Sequence, residues 1–186
     1  EPARSRDHTE RMLPAFGVPV AGDPTGLTAS LDGPAGLHAK DVVVPGDPSS
    51  AAFFAVAASI APGSEIVLRE VSLNPTRTGF LRVLGRMGAQ ITRSASGAMG
   101  AEEVATLTVS ATASLRATLV NPDEVPSLID EVPILALAAT QAFGTTRFEG
   151  VGELRVKESD RLEAVRSGLV ALGADAHAGE DWLEVT

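Results

Sequence analysis

A short charged stretch, Arg155–Arg161, carries the strongest chemical signal in the sequence. It places five charged side chains in seven residues, between an apolar strand pattern and an apolar helix pattern. If this stretch opens the helix, Lys157 and Arg161 lie one turn apart on the same face and add to the positive end of the helix dipole. That arrangement favours an anion-binding site. The simpler interpretation is an exposed helix start with local ion pairs, Glu158 with Arg161 and Lys157 with Asp160.

A second candidate is Asp130, which precedes a very apolar helix pattern at Ile134–Ala142. One interpretation is a helix cap, because Asp47 stands at the matching place before an earlier apolar helix. The other is chemical. If the helix that follows Asp130 and the helix opened by the charged stretch start at the same side of the molecule, Asp130 converges with Lys157, Glu158 and Arg161. Two carboxylates and an ammonium around an anion site can perform general acid/base catalysis.

Arginines elsewhere also allow two interpretations. Arg77 stands in the first half of the chain where the charged stretch stands in the second, and is either a surface residue at a capped helix start or an anion ligand. Arg6 and Arg4, near the start of the chain, are likewise either solvated or anion-binding.

Composition excludes several classes of protein. The net charge of −9 argues against nucleic acid or an anionic membrane as a partner, because either needs a basic surface. The absence of cysteine excludes disulfides and thiolate metal sites, and the three histidines show no metal-ligand spacing. No apolar run has the length of a membrane span, so a cytoplasmic protein is expected. The chain has no initiator Met, which suggests a segment of a longer protein.

The chain reads as alternating short strands and helices. Asp47 and Pro48 predict the start of a buried apolar helix ending at Ile60, and Asn74-Pro75 predicts the start of a second helix. Asp7 and Glu10 predict a capping box near the beginning. Asp41–Val44 is predicted to be a buried strand and Ser94–Glu103 a loop of small residues.

The order of elements recurs, which indicates an internal repeat. Three predicted helices end in the same way, at Phe16-Gly17-Val18, Met87-Gly88-Ala89 and Leu172-Gly173-Ala174. The unit is strand–helix–strand–helix–strand–strand over about 70–85 residues. Since apolar helices alternate with short strands, the predicted class is α/β or α+β, with the most apolar helices inside.

Five segments, in order along the chain, resemble motifs of the EPSP synthase (3-phosphoshikimate 1-carboxyvinyltransferase) family. They are Ser5–Leu13 (SRDHTERML), Val44–Ala51 (VPGDPSSA), Asn74–Gly79 (NPTRTG), Ile129–Ala136 (IDEVPILA) and Glu153–Arg161 (ELRVKESDR). Their spelling is similar to that of the bacterial class with glyphosate-insensitive members. The resemblance covers essentially the whole chain.

The resemblance implies transfer of the enolpyruvyl group of phosphoenolpyruvate to the 5-hydroxyl of shikimate 3-phosphate, without metal or organic cofactor. It implies the enolpyruvyl transferase fold, with two lobes built from such repeats around buried helices. Residues 1–44 would end the shikimate-3-phosphate-binding lobe, and residues 45–186 would form two repeats of the second lobe. A monomer, inhibition by glyphosate, and no nucleic-acid or membrane partner are further expectations.

Site residues follow from the same motifs. The resemblance implies that Asp130 holds the 5-hydroxyl and acts as base, and that Lys157 lies near the bridging oxygen. Glu158 would move the proton at C3 of phosphoenolpyruvate. Arg161 would bind phosphoenolpyruvate, and Arg6 would contact the phosphate of shikimate 3-phosphate.

Several family motifs are absent from this chain, including the N-terminal Lys-Ser phosphate motif, so the segment is not expected to turn over substrate alone. Two other functions stay open. A UDP-N-acetylglucosamine enolpyruvyl transferase would carry a reactive loop cysteine, which this chain lacks. A non-catalytic anion-binding domain on the same scaffold would keep the repeat and the charges.

Overall fold

The computed structural model describes residues 3–186. Most of its helices begin or end near the capping residues and glycines from which the sequence predicted them. In this range the α-helices are α1 (His8–Met12), α2 (Pro48–Ile60), α3 (Gly79–Met87), α4 (Val132–Ala139) and α5 (Arg161–Ala171). Single turns of 3-10 helix lie at Leu13–Phe16, Val125–Ser127, Ile129–Glu131 and Gly152–Val156.

The strands are short apart from one three-stranded sheet. They are β1 (Ala21–Gly22), β2 (Ala29–Ser30), β3 (Glu65–Ser72), β4 (Gln90–Met99), β5 (Glu102–Ser110), β6 (Leu115–Arg116), β7 (Leu119–Val120), β8 (Ala142–Phe143), β9 (Thr146–Glu149), β10 (Ala176–Ala178) and β11 (Trp182–Val185). β1 pairs with β2, and β6 pairs in parallel with β8.

The predicted repeat is confirmed by the topology of the two larger sheets. In the first, β5 lies between β3 and β4 and is antiparallel to both. In the second, β11 lies between β9 and β10 in the same way. In each unit, the segment that precedes the apolar helix also pairs in parallel with the strand that follows that helix. Gly46 pairs with Val71 in the first unit, and β7 pairs with β9 in the second. Both units therefore follow the strand–helix–strand–helix–strand–strand path.

Glycines end the helices where the sequence predicts. Gly17, Gly88 and Gly173 take φ angles of 91°, 96° and 91°, the left-handed conformation that closes a helix. A residue with a side chain is strained there, which explains why the same Xaa-Gly-Xaa pattern recurs at these three positions.

Alanine-rich helices form the centre of the molecule. α2 and α4 contact each other, and the small side chains on their facing surfaces are completely buried. The buried side chains of both units form one continuous apolar cluster. α3 buries Phe80, Leu84 and Met87, as its apolar periodicity predicts. α2 is less enclosed than expected, since Phe53 and Phe54 stay more than half exposed.

Three local predictions are wrong. Asp41–Val44 is not a strand, because no neighbouring strand pairs with it in residues 3–186; Val44 is 81% exposed. The predicted loop at Ser94–Glu103 is instead the end of a long β4–β5 hairpin, where pairing overrides the low strand propensity of small residues. Asp7 makes no capping bond at α1; its carboxylate accepts from Arg4, Arg11 and Asn74 instead.

The helix starts of the third and fourth motifs also shift. α3 begins at Gly79, because Asn74 closes its own short turn by accepting from the backbone N–H of Thr76. α4 begins at Val132, and a 3-10 turn comes before it.

Candidate active site

The charged stretch does not open α5 as predicted. The helix begins at Arg161, and Asp160 caps it by accepting from the backbone N–H of Glu163 at 2.9 Å. Lys157 follows the 3-10 turn Gly152–Val156 and has an extended backbone. Lys157 and Arg161 are therefore not one helical turn apart, because an N-cap of good propensity interrupts the run between them.

Two residues of this stretch hold the fold together. Arg155 donates to Asp160 at 2.7 Å, and also to the carbonyl oxygens of Gly179 at 2.6 Å and Glu180 at 3.1 Å. These bonds tie the approach to α5 onto the turn between β10 and β11. Arg155 and Asp160 thus place the remaining charges rather than offering themselves to a ligand.

Arg161 connects the start of α5 with Glu158 and with the 3-10 turn that contains Asp130. Its guanidinium donates to both carboxylate oxygens of Glu158, at 2.9 Å and 2.8 Å, so the predicted Glu158–Arg161 pair is confirmed. A third bond reaches Asp130 at 3.3 Å. The hydrogen bonds from Arg161 lower the pKa of Glu158, and Glu158 in turn raises the pKa of Arg161.

Asp130 is the meeting point of the cluster. It lies in the 3-10 turn Ile129–Glu131 and makes no capping bond, so the interpretation of Asp130 as a helix cap is wrong. Its carboxylate accepts from Arg6 on one oxygen and from Arg161 on the other. About a third of each of the Asp130 and Arg161 side chains is exposed, 31% and 32%, so solutes can reach these charges.

Lys157 pairs with neither Asp160 nor Asp130, the two residues that the sequence placed near it. Its ammonium contacts Glu153, so the expected pair with Asp160 is wrong. The Glu153 side chain is 62% exposed. A surface pair of this kind is weak and exchanges readily, so it leaves Lys157 available to a ligand.

Next to Asp130 lies a polar network that sequence reasoning missed. Glu131 is 2% exposed and accepts from the hydroxyl of Ser49. Ser49 accepts from Arg77 at 2.7 Å, and Arg77 also pairs with Asp47 at 3.1 Å. Burial raises the pKa of Glu131. Arg77 is thus not a simple surface residue, and its buried Nε has no partner among the described residues.

Asp47 behaves as the sequence predicts. It caps α2 by accepting from the backbone N–H of Ser50 at 2.8 Å. Burial opposes its ionisation, but the bonds from Ser50 and the charge of Arg77 outweigh burial and lower its pKa. For Glu131 the only sequence signal was an acidic residue directly before a very apolar helix, which a helix opener explains equally well.

Among residues 3–186, no cluster of three or more histidine, cysteine, aspartate or glutamate side chains has the arrangement of a metal site. None of the helices in that range could span a bilayer, since each is too short or too polar.

Two solved structures of similar shape define the fold. The enolpyruvyl transferase NikO from Streptomyces tendae superimposes with a TM-score of 0.61 at 19% identity, over 91% of this chain and 37% of that one. At that identity the likeness shows only the fold, which is the enolpyruvyl transferase fold that the family resemblance implies. The EPSP synthase of Acinetobacter baumannii superimposes with a TM-score of 0.91 at 42% identity, over 100% of this chain and 41% of that one.

Sequence comparison then gives the family. The profile of EPSP synthase (3-phosphoshikimate 1-carboxyvinyltransferase) matches residues 1–186. The 3-phosphoshikimate 1-carboxyvinyltransferase of Synechocystis is 52% identical over 185 residues, which is 100% of this chain and 41% of that protein. The chain therefore belongs to the EPSP synthase family. It spans less than half the length of the curated relatives it matches.

Proposed function

We propose that this chain supplies part of the active site of an enzyme that transfers the enolpyruvyl group of phosphoenolpyruvate to the 5-hydroxyl of shikimate 3-phosphate. The observation that carries the proposal is the cluster in which Asp130 joins Arg6 to Arg161 and, through Arg161, to Glu158. Four residues with proposed roles in one reaction, taken from three separate motifs, thus meet at one place. Family membership supplies the chemistry that such a cluster would serve.

The proposed reaction is an addition followed by an elimination. Asp130 takes the proton of the 5-hydroxyl while that oxygen bonds to C2 of phosphoenolpyruvate. Glu158 gives a proton to C3, which it can hold once phosphoenolpyruvate binds Arg161 and the bonds that lower the pKa of Glu158 are released. The tetrahedral intermediate then returns the C3 proton to Glu158 and loses its phosphate, which restores the double bond. Lys157 neutralises the charge of the departing bridging oxygen.

Electrostatics support the binding roles of the two arginines. Arg6 and Arg161 share the carboxylate of Asp130, and Arg161 also pairs with Glu158, so the cluster balances two positive charges with two negative ones. An anionic substrate offers each guanidinium a bidentate partner of higher charge. We propose that Arg6 binds the phosphate of shikimate 3-phosphate and that Arg161 binds phosphoenolpyruvate. Asp130 is then released from both pairs and faces the hydroxyl as a base.

The rest of the site would come from portions of a longer chain, since this one spans 41% of its Synechocystis relative. Glyphosate, which carries a carboxylate and a phosphonate like the anionic groups of phosphoenolpyruvate, is proposed as a ligand of Arg161. The lobe boundary near residue 45, the monomeric state and the cytoplasmic location stay predictions.

The two lysines of the chain provide a matched test in a full-length context. We expect Lys157→Ala to lower the rate of phosphate release about 100-fold or more, because the leaving oxygen loses its cation. Lys40→Ala removes the same charge from an exposed loop and should change the rate less than about twofold. Circular dichroism would show that both variants fold. Unchanged phosphate release by Lys157→Ala would overturn the proposal in favour of a non-catalytic anion-binding domain.

A further inference from the structure

A second polar cluster holds the segment that carries Arg6 against the first repeat. The residues immediately after Arg6 provide its contacts on one side: Asp7 accepts from Asn74 Nδ2 at 2.7 Å, and His8 Nδ1 contacts Glu102 Oε1 at 2.6 Å. Asn74 lies between β3 and α3, and Glu102 begins β5. His8 therefore contacts residues that are distant in sequence, namely Asn74, 66 positions away, and Glu102, 94 positions away.

Asn74 is built to hold carboxylates. It is 1% exposed, and its Oδ1 accepts from the backbone N–H and the hydroxyl of Thr76, at 2.9 Å and 2.7 Å. Those two bonds fix which end of the amide is the donor. The Nδ2 group therefore faces Asp7 and both oxygens of Glu102, the latter at 3.3 Å and 3.2 Å.

The charges around this amide are balanced. Asp7 lies between Arg4 at 3.1 Å and Arg11 at 2.8 Å. Burial opposes the ionisation of Asp7, but the bonds from Arg11, Asn74 and Arg4 outweigh it and hold its pKa well below the usual range. A charged, bonded carboxylate at this position gives the cluster a defined geometry, because a carboxylate accepts only where donors are placed.

Arg6 is adjacent to this cluster in sequence and reaches in another direction, to Asp130. We propose that Asn74 and Glu102 are positioning residues, which hold Asp7 and His8 so that Arg6 is aimed at the binding site of a phosphorylated substrate next to Asp130. This inference rests on the proposed function. It adds two residues that touch no substrate and act through the backbone of residues 6–8.

The inference predicts a selective loss of affinity. Asn74→Asp keeps the acceptor for Thr76, removes both donors and adds a third carboxylate beside Asp7 and Glu102. In a full-length context we expect the KM for shikimate 3-phosphate to rise about tenfold, as for loss of a charge-assisted hydrogen bond. The KM for phosphoenolpyruvate and kcat should change less than about twofold, because Arg161 and Asp130 are untouched.

The chain offers a close control. Its other asparagine, Asn121, also precedes a proline, is exposed, and takes the same substitution, so Asn121→Asp should leave all three kinetic constants unchanged. Adding Glu102→Gln to Asn74→Asp removes one repelling charge and should restore part of the affinity. The double variant Asn74→Asp/Arg6→Ala should have the same KM for shikimate 3-phosphate as Arg6→Ala alone, because both changes act through the same guanidinium.

Three results would overturn the inference. They are an equal rise in the KM of both substrates, additive effects of Asn74→Asp and Arg6→Ala, and an unchanged KM for shikimate 3-phosphate in an active enzyme. If Asn74→Asp does not fold, Glu102→Gln alone takes its place, with a smaller rise expected in the same KM. Failure of the proposed function looks different, since the unsubstituted protein would then release no phosphate. In that case hydrogen exchange decides: faster exchange in α1 of the Asn74→Asp variant supports the docking, and unchanged exchange refutes it.

Discussion

The two repeats share one path through space but use the aspartate before their apolar helix differently. Asp47 caps α2 with a bond to the backbone N–H of Ser50, and it also pairs with the largely buried Arg77. Asp130 stands at the matching place before α4 and caps nothing. It accepts from two partly exposed arginines, Arg6 and Arg161, of which Arg6 comes from a distant part of the chain.

A small shift in the backbone explains the difference. In the first repeat the helix starts at the residue after Asp47, so the carboxylate is used by the helix. In the second, a 3-10 turn contains Asp130 and the helix starts at Val132. The carboxylate is thereby released from the helix and becomes available to charges outside it. One scaffold thus supports a helix-capping aspartate in one unit and, in the other, an aspartate that pairs with two arginines and for which we propose a chemical role.

The largest expected effect comes from removing these two aspartates separately in a full-length context. Asp130→Ala should lower kcat by about 10²–10⁴-fold, the usual contribution of a general base, with little change in the free energy of unfolding. Asp47→Ala should lower the free energy of unfolding by about 1 kcal/mol, because α2 loses its cap. Steady-state phosphate release and urea denaturation measure the two quantities. A large loss of stability in Asp130→Ala would show that the two aspartates do the same structural work.

The second largest effect concerns the pH dependence of stability, in which the buried carboxylate of Glu131 should differ from that of its partly exposed neighbour Asp130. Burial raises the pKa of Glu131 above the 4.5 of an exposed glutamate. The folded state therefore binds this proton more tightly, so the stability that Glu131 contributes is present below pH 4.5 and is lost as pH rises through the raised pKa. Glu131→Gln keeps the bond to Ser49 and has no proton to lose.

The melting temperature of Glu131→Gln relative to the unsubstituted protein should consequently increase between about pH 4 and about pH 8, by a few degrees. Thermal denaturation followed by circular dichroism across that range measures the difference. A difference that is constant with pH would mean that Glu131 titrates as an exposed group does.

The smallest expected effect tests where the repeats are equivalent. Gly88 and Gly173 end the second helix of each unit with φ angles of 96° and 91°. A new Cβ at either position meets no atom closer than 3.7 Å, so only backbone strain matters. Gly88→Ala and Gly173→Ala should each lower the free energy of unfolding by about 1 kcal/mol, and by the same amount within error. Unequal losses would reveal tertiary strain at one helix end.

Local signals in the sequence were enough for the repeat and for most of the cluster. Capping at Asp47, the glycine helix ends and the apolar helix faces are set by neighbours in the chain, so their prediction succeeded. The predictions that failed depend on distant partners. The β4–β5 hairpin needs cross-strand pairing, and the exposed Val42–Val44 segment needs a neighbouring strand that residues 3–186 do not supply.

The same limit applies to the site. Charge type and spacing identified Asp130, Glu158 and Arg161, but not the contact of Arg6 with Asp130 across 124 positions. Glu131 and Asn74 carry no pattern that separates them from a helix opener and a turn residue. Only the packing of α2, α4 and the β4–β5 hairpin gives them their partners.

Product analysis tests the central claim most directly, namely that these charges form part of an enolpyruvyl transfer site. A full-length protein carrying this chain would be given phosphoenolpyruvate with and without shikimate 3-phosphate, and inorganic phosphate and the new enol ether would be quantified together. We predict phosphate release only when both substrates are present, in equal amounts with the enol ether at the 5-oxygen. Phosphate release without shikimate 3-phosphate, or no release with both substrates, would contradict the claim.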